Sequence, residues 1–115
     1  MGQYLVLLYE SESAWSEVDD ASRESILEAH NAFGAKHGAK IAGGNALQPT
    51  ATATTVISDG AGGFTVTDGP FVESKEALGG YYLIEAADLD EAIAISKDVP
   101  AGFGGVEVRP IMVFS

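Results

Sequence analysis

Hydrophobic positions change period several times along the chain, and each change marks an element. Tyr4 to Tyr9 reads Tyr-Leu-Val-Leu-Leu-Tyr, a continuous apolar run too short for a helix and suited to a central strand buried on both faces. Ser11 or Ser13 caps the next element, in which Trp15, Val18, Ser22, Ile26, Ala29 and Phe33 recur at three- and four-residue spacing, predicting an amphipathic helix over about 13–36. Gly38 stands where a left-handed residue ends such a helix at little cost. Lys40 to Leu47 is a weak strand interrupted by Gly43 and Gly44, a pair that marks a bulge or a close backbone approach. Thr52 to Ile57 and Phe64 to Thr67 are β-rich runs around an Asp-Gly loop, which predicts a hairpin. Tyr81 to Ala86 is a second buried strand, and Asp88 caps a helix carrying Leu89, Ala92, Ile93 and Ile95. Gly105 to Phe114 alternates, with Val106, Val108, Pro110, Met112 and Phe114 on one face and Glu107, Arg109, Ile111 and Val113 on the other.

The order is therefore β, α, a β-rich middle, β, α, β, with no internal repeat or linker, and residues 1–115 form one domain. Two helices on one face of an antiparallel sheet give an α+β fold, and right-handed crossovers make a ferredoxin-like βαββαβ sandwich with an extra central hairpin its simplest form. Two strands apolar on both sides leave a second sheet face to cover. A copy of the same chain covers it most economically, so a homodimer is expected.

Composition narrows the chemistry. Without cysteine there are no disulfides, thiolate nucleophiles or Cys-based zinc sites, and the net charge of −11 repels phosphate backbones, which argues against direct nucleic-acid binding. No apolar stretch has the roughly 18 residues of a membrane span. The first apolar run has no basic region ahead of it, unlike a signal peptide, so a cytoplasmic location is expected. The two histidines lie seven residues apart with no His-Glu motif joining them, and Gly60-Ala61-Gly62-Gly63 precedes no helix, so neither a metal site nor a phosphate loop is expected. No motif calls for a cofactor.

The densest run of turn chemistry and ionisable groups is Thr65 to Tyr82. Asp68, followed by Gly69 and Pro70, has two readings. It is an acid–base group if it points into a cleft that raises its pKa, or a turn residue whose carboxylate bonds nearby backbone N–H groups. Arg109 and Glu107 share one side of the last strand, and Tyr81, Leu83 and Glu85 alternate in the same way on theirs. Arg109 is the natural anchor for a carboxylate or phosphate, or else the partner of Glu85, Glu107 or Asp68 in an ion pair. His30 borders the apolar face of the first helix, as a hydrogen-bonded core-edge histidine or as a second acid–base candidate. His37 sits near the helix end, where positive charge suits the dipole. The outer helix face carries Glu17, Asp19, Asp20, Glu24 and Glu28, which is either a solvated face or a docking surface for a basic partner.

Five strings together carry a family resemblance: Asp68-Gly69-Pro70-Phe71, Glu73-Ser74-Lys75-Glu76, Leu78-Gly79-Gly80-Tyr81-Tyr82-Leu83-Ile84-Glu85, Leu89-Asp90-Glu91-Ala92 and Val106-Glu107-Val108-Arg109-Pro110. They resemble the DGPF branch of the YCII-related proteins, and the opening Tyr-Leu-Val-Leu-Leu-Tyr is similar to that family's first strand. The resemblance implies a ferredoxin-like subunit that pairs through its sheets into a dimeric α/β barrel. It also implies a cleft with a His–Asp pair, for which spacing certifies no position here, and an association of some DGPF domains with extracytoplasmic-function sigma factors.

Two functional expectations compete. In the first, a small dimeric protein binds a polar or anionic organic molecule in a sheet-face cleft and catalyses proton transfer or elimination, with Asp68 and His30 as catalytic candidates and Arg109, Glu85, Tyr81 and Gly69 as ligand contacts. In the second, the chain is a non-catalytic regulatory module whose acidic helix face meets a sigma factor.

Overall fold

The computed structural model describes residues 2–114. Among these, six strands and three helices succeed one another as β1 (Gly2–Ser11), α1 (Glu12–Ser16), α2 (Asp20–His37), β2 (Ile41–Ala46), β3 (Thr54–Ser58), β4 (Phe64–Asp68), β5 (Glu76–Ala86), α3 (Leu89–Ser96) and β6 (Gly104–Pro110). Four strands form one sheet in the order β2-β5-β1-β6, every neighbouring pair antiparallel, and β3 and β4 form a separate two-stranded ribbon. Each helical crossover returns to a strand that is not its sheet neighbour. This is the split βαβ pattern of a ferredoxin-like sandwich, with the ribbon inserted at its middle.

The apolar strands occupy the centre of the sheet, as their composition requires. Val6, Leu8, Ile84 and Ala86 point to the helices and are buried, where they meet Phe33 of α2, Ala92 and Ile95 of α3, and Val99. Leu5, Leu7 and Leu83 alternate to the opposite face, which no element of the described chain covers.

Several boundaries differ from the sequence expectation for identifiable reasons. The helix expected over 13–36 is two helices. Ser11 caps the first by accepting from the Ala14 N–H, and the second begins afresh at Asp19, whose carboxylate accepts from the Ser22 N–H at 2.7 Å. A side chain that caps so well starts a helix in preference to continuing one. Gly38 does not end α2 in a left-handed conformation: its φ is −52°, and the chain tightens there into a 3₁₀ turn. The last strand stops at Pro110, four residues before the predicted end at Phe114; proline gives the ladder no N–H, and Gln3 accepts one final bond from Ile111. Strand β5 starts at Glu76, well before the predicted Tyr81, because Glu76, Ala77 and Leu78 pair with Ser11, Glu10 and Tyr9.

The glycine pair in β2 produces both features expected of it. The register shifts between Ile41 and Gly43, and a Cβ on Gly44 would lie 2.7 Å from the Tyr81 carbonyl oxygen and 2.9 Å from the Tyr82 ring. Only glycine lets β2 approach β5 so closely.

Ile84 and Val6 are the largest side chains wholly removed from solvent, and they stand close together across β5 and β1. Replacing Ile84 with Ala should lower the unfolding free energy by about 2–5 kcal/mol, read from urea denaturation with an unchanged slope, through lost burial and the cavity left behind.

Candidate functional site

Helix α2 touches the sheet mainly through its C-terminal half. Phe33 is buried there and packs on the Tyr82 ring, with centroids 4.8 Å apart. The C-terminal end is tied down from the side, where Asp98 accepts from Lys36 at 2.9 Å and bonds His37 at 2.7 Å. Towards the N-terminal end the helix stands off: Ile26 is half-buried and Leu27 is 61% exposed. The sheet beneath this half is built from Gly44, Ala46, Ala77, Gly79 and Gly80. Around Gly79 the β1–β5 register slips by one residue. A helix raised at one end over a floor without large side chains leaves a cavity of about 820 Å³. That is large enough for a small organic ligand.

The wall is mostly apolar, with Leu8, Trp15, Leu47 and Leu78 among its residues, and its polar groups are few. Trp15 is steadied by an edge-to-face contact with Phe103, centroids 5.6 Å apart. His30 and Tyr82 meet on the wall, with His30 Nδ1 2.7 Å from the Tyr82 hydroxyl. Burial holds the His30 imidazole below its ordinary pKa of 6.5, against the opposing influence of the nearby Glu10 carboxylate and a backbone hydrogen bond to Pro100. Burial also pushes the Tyr82 phenol above its ordinary 10.0. Both groups are therefore neutral near pH 7: the ring is a base able to take a proton, and the phenol a donor able to give one.

Glu10 is itself buried, accepting from the Phe103 N–H at 3.2 Å. Glu12 is committed elsewhere, for its two carboxylate oxygens accept from the Thr50 N–H at 2.9 Å and the Thr50 hydroxyl at 3.2 Å. Arg23 stands on the rim, and among the described residues no carboxylate pairs with it.

The residues singled out from the sequence fall in different places. His30 and Tyr81 border the cavity, but the Tyr81 ring, opposite Leu7 in the register, projects to the open sheet face, where its hydroxyl accepts from Asn45 Nδ2 at 2.9 Å. Asp68 and Gly69 lie at the end of the β3–β4 ribbon, outside the cavity wall. The Asp68 carboxylate is exposed and, among the described residues, accepts no hydrogen bond. The bend beside it is set by Gly69, with φ of 104°, whose N–H donates to the Ala53 carbonyl and whose own carbonyl accepts from the Thr55 hydroxyl. Arg109 is 69% exposed and pairs with Glu107, two residues away on the same strand face. Glu85 is exposed on the open sheet face, as its alternation requires.

Sequence reasoning passed over Glu10, Tyr82, Trp15 and Arg23. The signal for Glu10 lay in the period of β1. Val6 and Leu8 are the inward positions, and the next inward position is a carboxylate, which a buried face tolerates only with a partner. Metal ligation has no support in side-chain grouping, since no cluster of three or more His, Asp or Glu side chains suited to a metal ion occurs among the described residues. No helix among them is long and apolar enough to cross a membrane.

A solved structure of 5-chloro-2-hydroxyhydroquinone dehydrochlorinase from Burkholderia phenoliruptrix AC1100, in complex with 2,5-dihydroxybenzoquinone, superposes with a TM-score of 0.55, covering 97% of this chain and 95% of its own at 18% identity. At that identity the likeness establishes a common fold. The uncharacterised protein R00369 of Rhizobium meliloti (strain 1021) is 38% identical over 119 residues, spanning 96% of this chain and 93% of that protein. The model of the YCII-related domain matches residues 2–115, and the chain belongs to that family.

Proposed function

We propose that the protein is an acid–base catalyst that binds a small, planar, anionic organic molecule between α2 and the sheet and promotes a proton transfer or elimination. The observation that carries this reading is the Tyr82–His30 hydrogen bond on the wall of an apolar cavity, with both groups held neutral by burial. We assign the Tyr82 hydroxyl as the donor and Nδ1 as the acceptor, the tautomer in which the neutral ring can take the tyrosine's proton. A substrate proton then passes to the Tyr82 oxygen as the tyrosine's own proton passes to Nδ1, so no free phenolate forms. The electron pair left on the substrate becomes the new double bond, and a leaving group on the adjacent carbon departs with its bonding pair. The buried Glu10 carboxylate stabilises the imidazolium, and Arg23 holds the anionic group of the substrate through its planar fork.

The fold neighbour is a dehydrochlorinase in complex with a planar quinone, and its name and ligand supply the first compounds to try. The full-length protein should bind 2,5-dihydroxybenzoquinone by isothermal titration and release chloride from 5-chloro-2-hydroxyhydroquinone or a related halogenated hydroxyaromatic. Tyr82→Phe and His30→Gln should each lower kcat by about 10²–10⁴-fold with circular dichroism unchanged. Arg23→Gln should raise KM roughly tenfold and leave kcat nearly intact, the loss of about 1.4 kcal/mol of binding. Ligand binding with wild-type turnover in both relay variants would remove the catalytic reading. Failure to bind the quinone, with no chloride release from any compound of the class, would remove the substrate class.

The sign of the pH dependence comes from His30. Because the neutral ring is the active form and burial depresses its pKa, kcat/KM should be full above 6.5 and fall as pH drops through a midpoint below that value. A pH–rate profile with its acid limb centred above 6.5 would contradict the assignment, as would a limb that persists in His30→Gln.

A further inference from the structure

The cavity beneath α2 is longer than a single ring at its His30–Tyr82 end requires. Arg23, Ile26, Leu27 and His30 follow one another at helical spacing, so they share one face of α2, and all four line the cavity. Arg23 lies seven residues before His30, which sets the two backbone positions about 10 Å apart along the helix axis at a rise of about 1.5 Å per residue. The volume of about 820 Å³ falls in the upper part of the range of about 300–1,000 Å³ usual for small-molecule sites. One six-membered ring under His30 fills only part of it.

The two ends of this helix face differ in chemistry, and the stretch between them is apolar. At one end His30 Nδ1 stands 2.7 Å from the Tyr82 hydroxyl. At the other stands Arg23, with which no carboxylate of the described residues forms an ion pair. Ile26 and Leu27 lie between them on the helix, and Leu47, just past the end of β2, lines the same cavity. Leu27 is 61% exposed and Leu47 45%, so both present apolar surface that the chain's own core leaves in water. A ligand segment laid along these side chains removes that surface from water, and the gain scales with the apolar area covered.

We infer that the ligand of this cavity is an elongate hydroxyaromatic acid, with its ring at the His30–Tyr82 pair and its carboxylate carried to Arg23 by an apolar spacer lying along Ile26, Leu27 and Leu47. The inference rests on the acid–base reading for which end of the ligand reacts; the spacer and the distance it covers are additional to that reading. A carboxylate suits the anchor because the planar guanidinium fork pairs with it through two N–H donors. The separation also keeps the cation away from the reacting end. A positive charge beside His30 would disfavour the imidazolium that forms as the ring takes a proton.

Isothermal titration of the full-length protein with a series of ω-(hydroxyphenyl)alkanoates, which differ only in the number of methylenes between ring and carboxylate, reads the spacing directly. The dissociation constant should fall by roughly fourfold per added methylene as apolar surface is covered, and rise again once the chain outgrows the distance to Arg23. At the best length the acid should bind at least tenfold more tightly than its primary amide, and that difference should vanish in Arg23→Gln, at an exposed position that leaves the fold intact. Leu27→Ser, also at an exposed position, should flatten the dependence on chain length, and an unaltered slope there overturns the path assigned to the spacer. Binding that is indifferent to chain length, or strongest with the shortest acid, overturns the inference. So does an acid–amide difference that survives in Arg23→Gln, and so does a series in which no member binds. These constants are read without turnover. A length optimum without any chloride release therefore removes the catalytic reading alone, and a length-independent series beside an active His30–Tyr82 relay removes the spacer alone.

Discussion

The packing of Phe33 against Tyr82 governs where the rest of α2 can lie. A helix anchored through one aromatic pair near its C-terminal end, and braced there by the Asp98 bonds to Lys36 and His37, is free at its other end to stand clear of the sheet. The same contact fixes the Tyr82 ring, and the ring's hydroxyl fixes His30 one helical turn before Phe33. Fold and chemistry therefore share a single residue, for Tyr82 is both a wall of the core and the polar handle of the cavity.

This arrangement separates the two faces of the sheet by role. The helix-side face carries Tyr82 and Glu10 and meets His30 of α2, and burial alters the protonation of His30 and Tyr82. The open face carries leucines together with the Arg109–Glu107 pair, which is well exposed and already mutually satisfied. A charge pair of that kind contributes little to stability and offers no unmet demand to a ligand. The cavity, by contrast, has a cation at its rim for which the described residues supply no carboxylate partner, in a chain where acidic residues outnumber basic ones by 17 to 6.

Most of the architecture was legible in the sequence because period and length carry it. Tyr4 to Tyr9, the run from Tyr81 and the helix after Asp88 all form the elements their patterns predict, and the glycines of β2 mark a real bulge and a real close approach. Boundaries were lost where a local hydrogen bond overrides periodicity, as Asp19 does when it restarts the helix. The site was less legible. Asp68 drew attention through its turn chemistry, which bends the chain at Gly69 but leaves the carboxylate in solvent. Glu10, Tyr82 and His30 come from β1, β5 and α2, so their meeting is a property of topology that no local pattern announces. His30 was visible as a core-edge histidine; what it borders depends on how far α2 lifts from the sheet.

The glycine-lined floor under α2 bears on which molecules can enter. Gly44, Gly79 and Gly80 line the floor of the cavity without side chains, whereas Leu27 sets its roof by the angle of a helix anchored elsewhere, and Trp15 of α1 closes the wall beside it. Depth is thus written in the backbone and height in packing at Phe33. The three glycines are not equally replaceable, for a Cβ at Gly44 would collide with β5, while one at Gly79 would meet no heavy atom within 4 Å. The size of the cavity can therefore change at either boundary without disturbing the His30–Tyr82 hydrogen bond between them. A methyl added at the Gly79 position and a small tilt of the helix are two independent routes to a new specificity, and only the second must disturb the aromatic anchor.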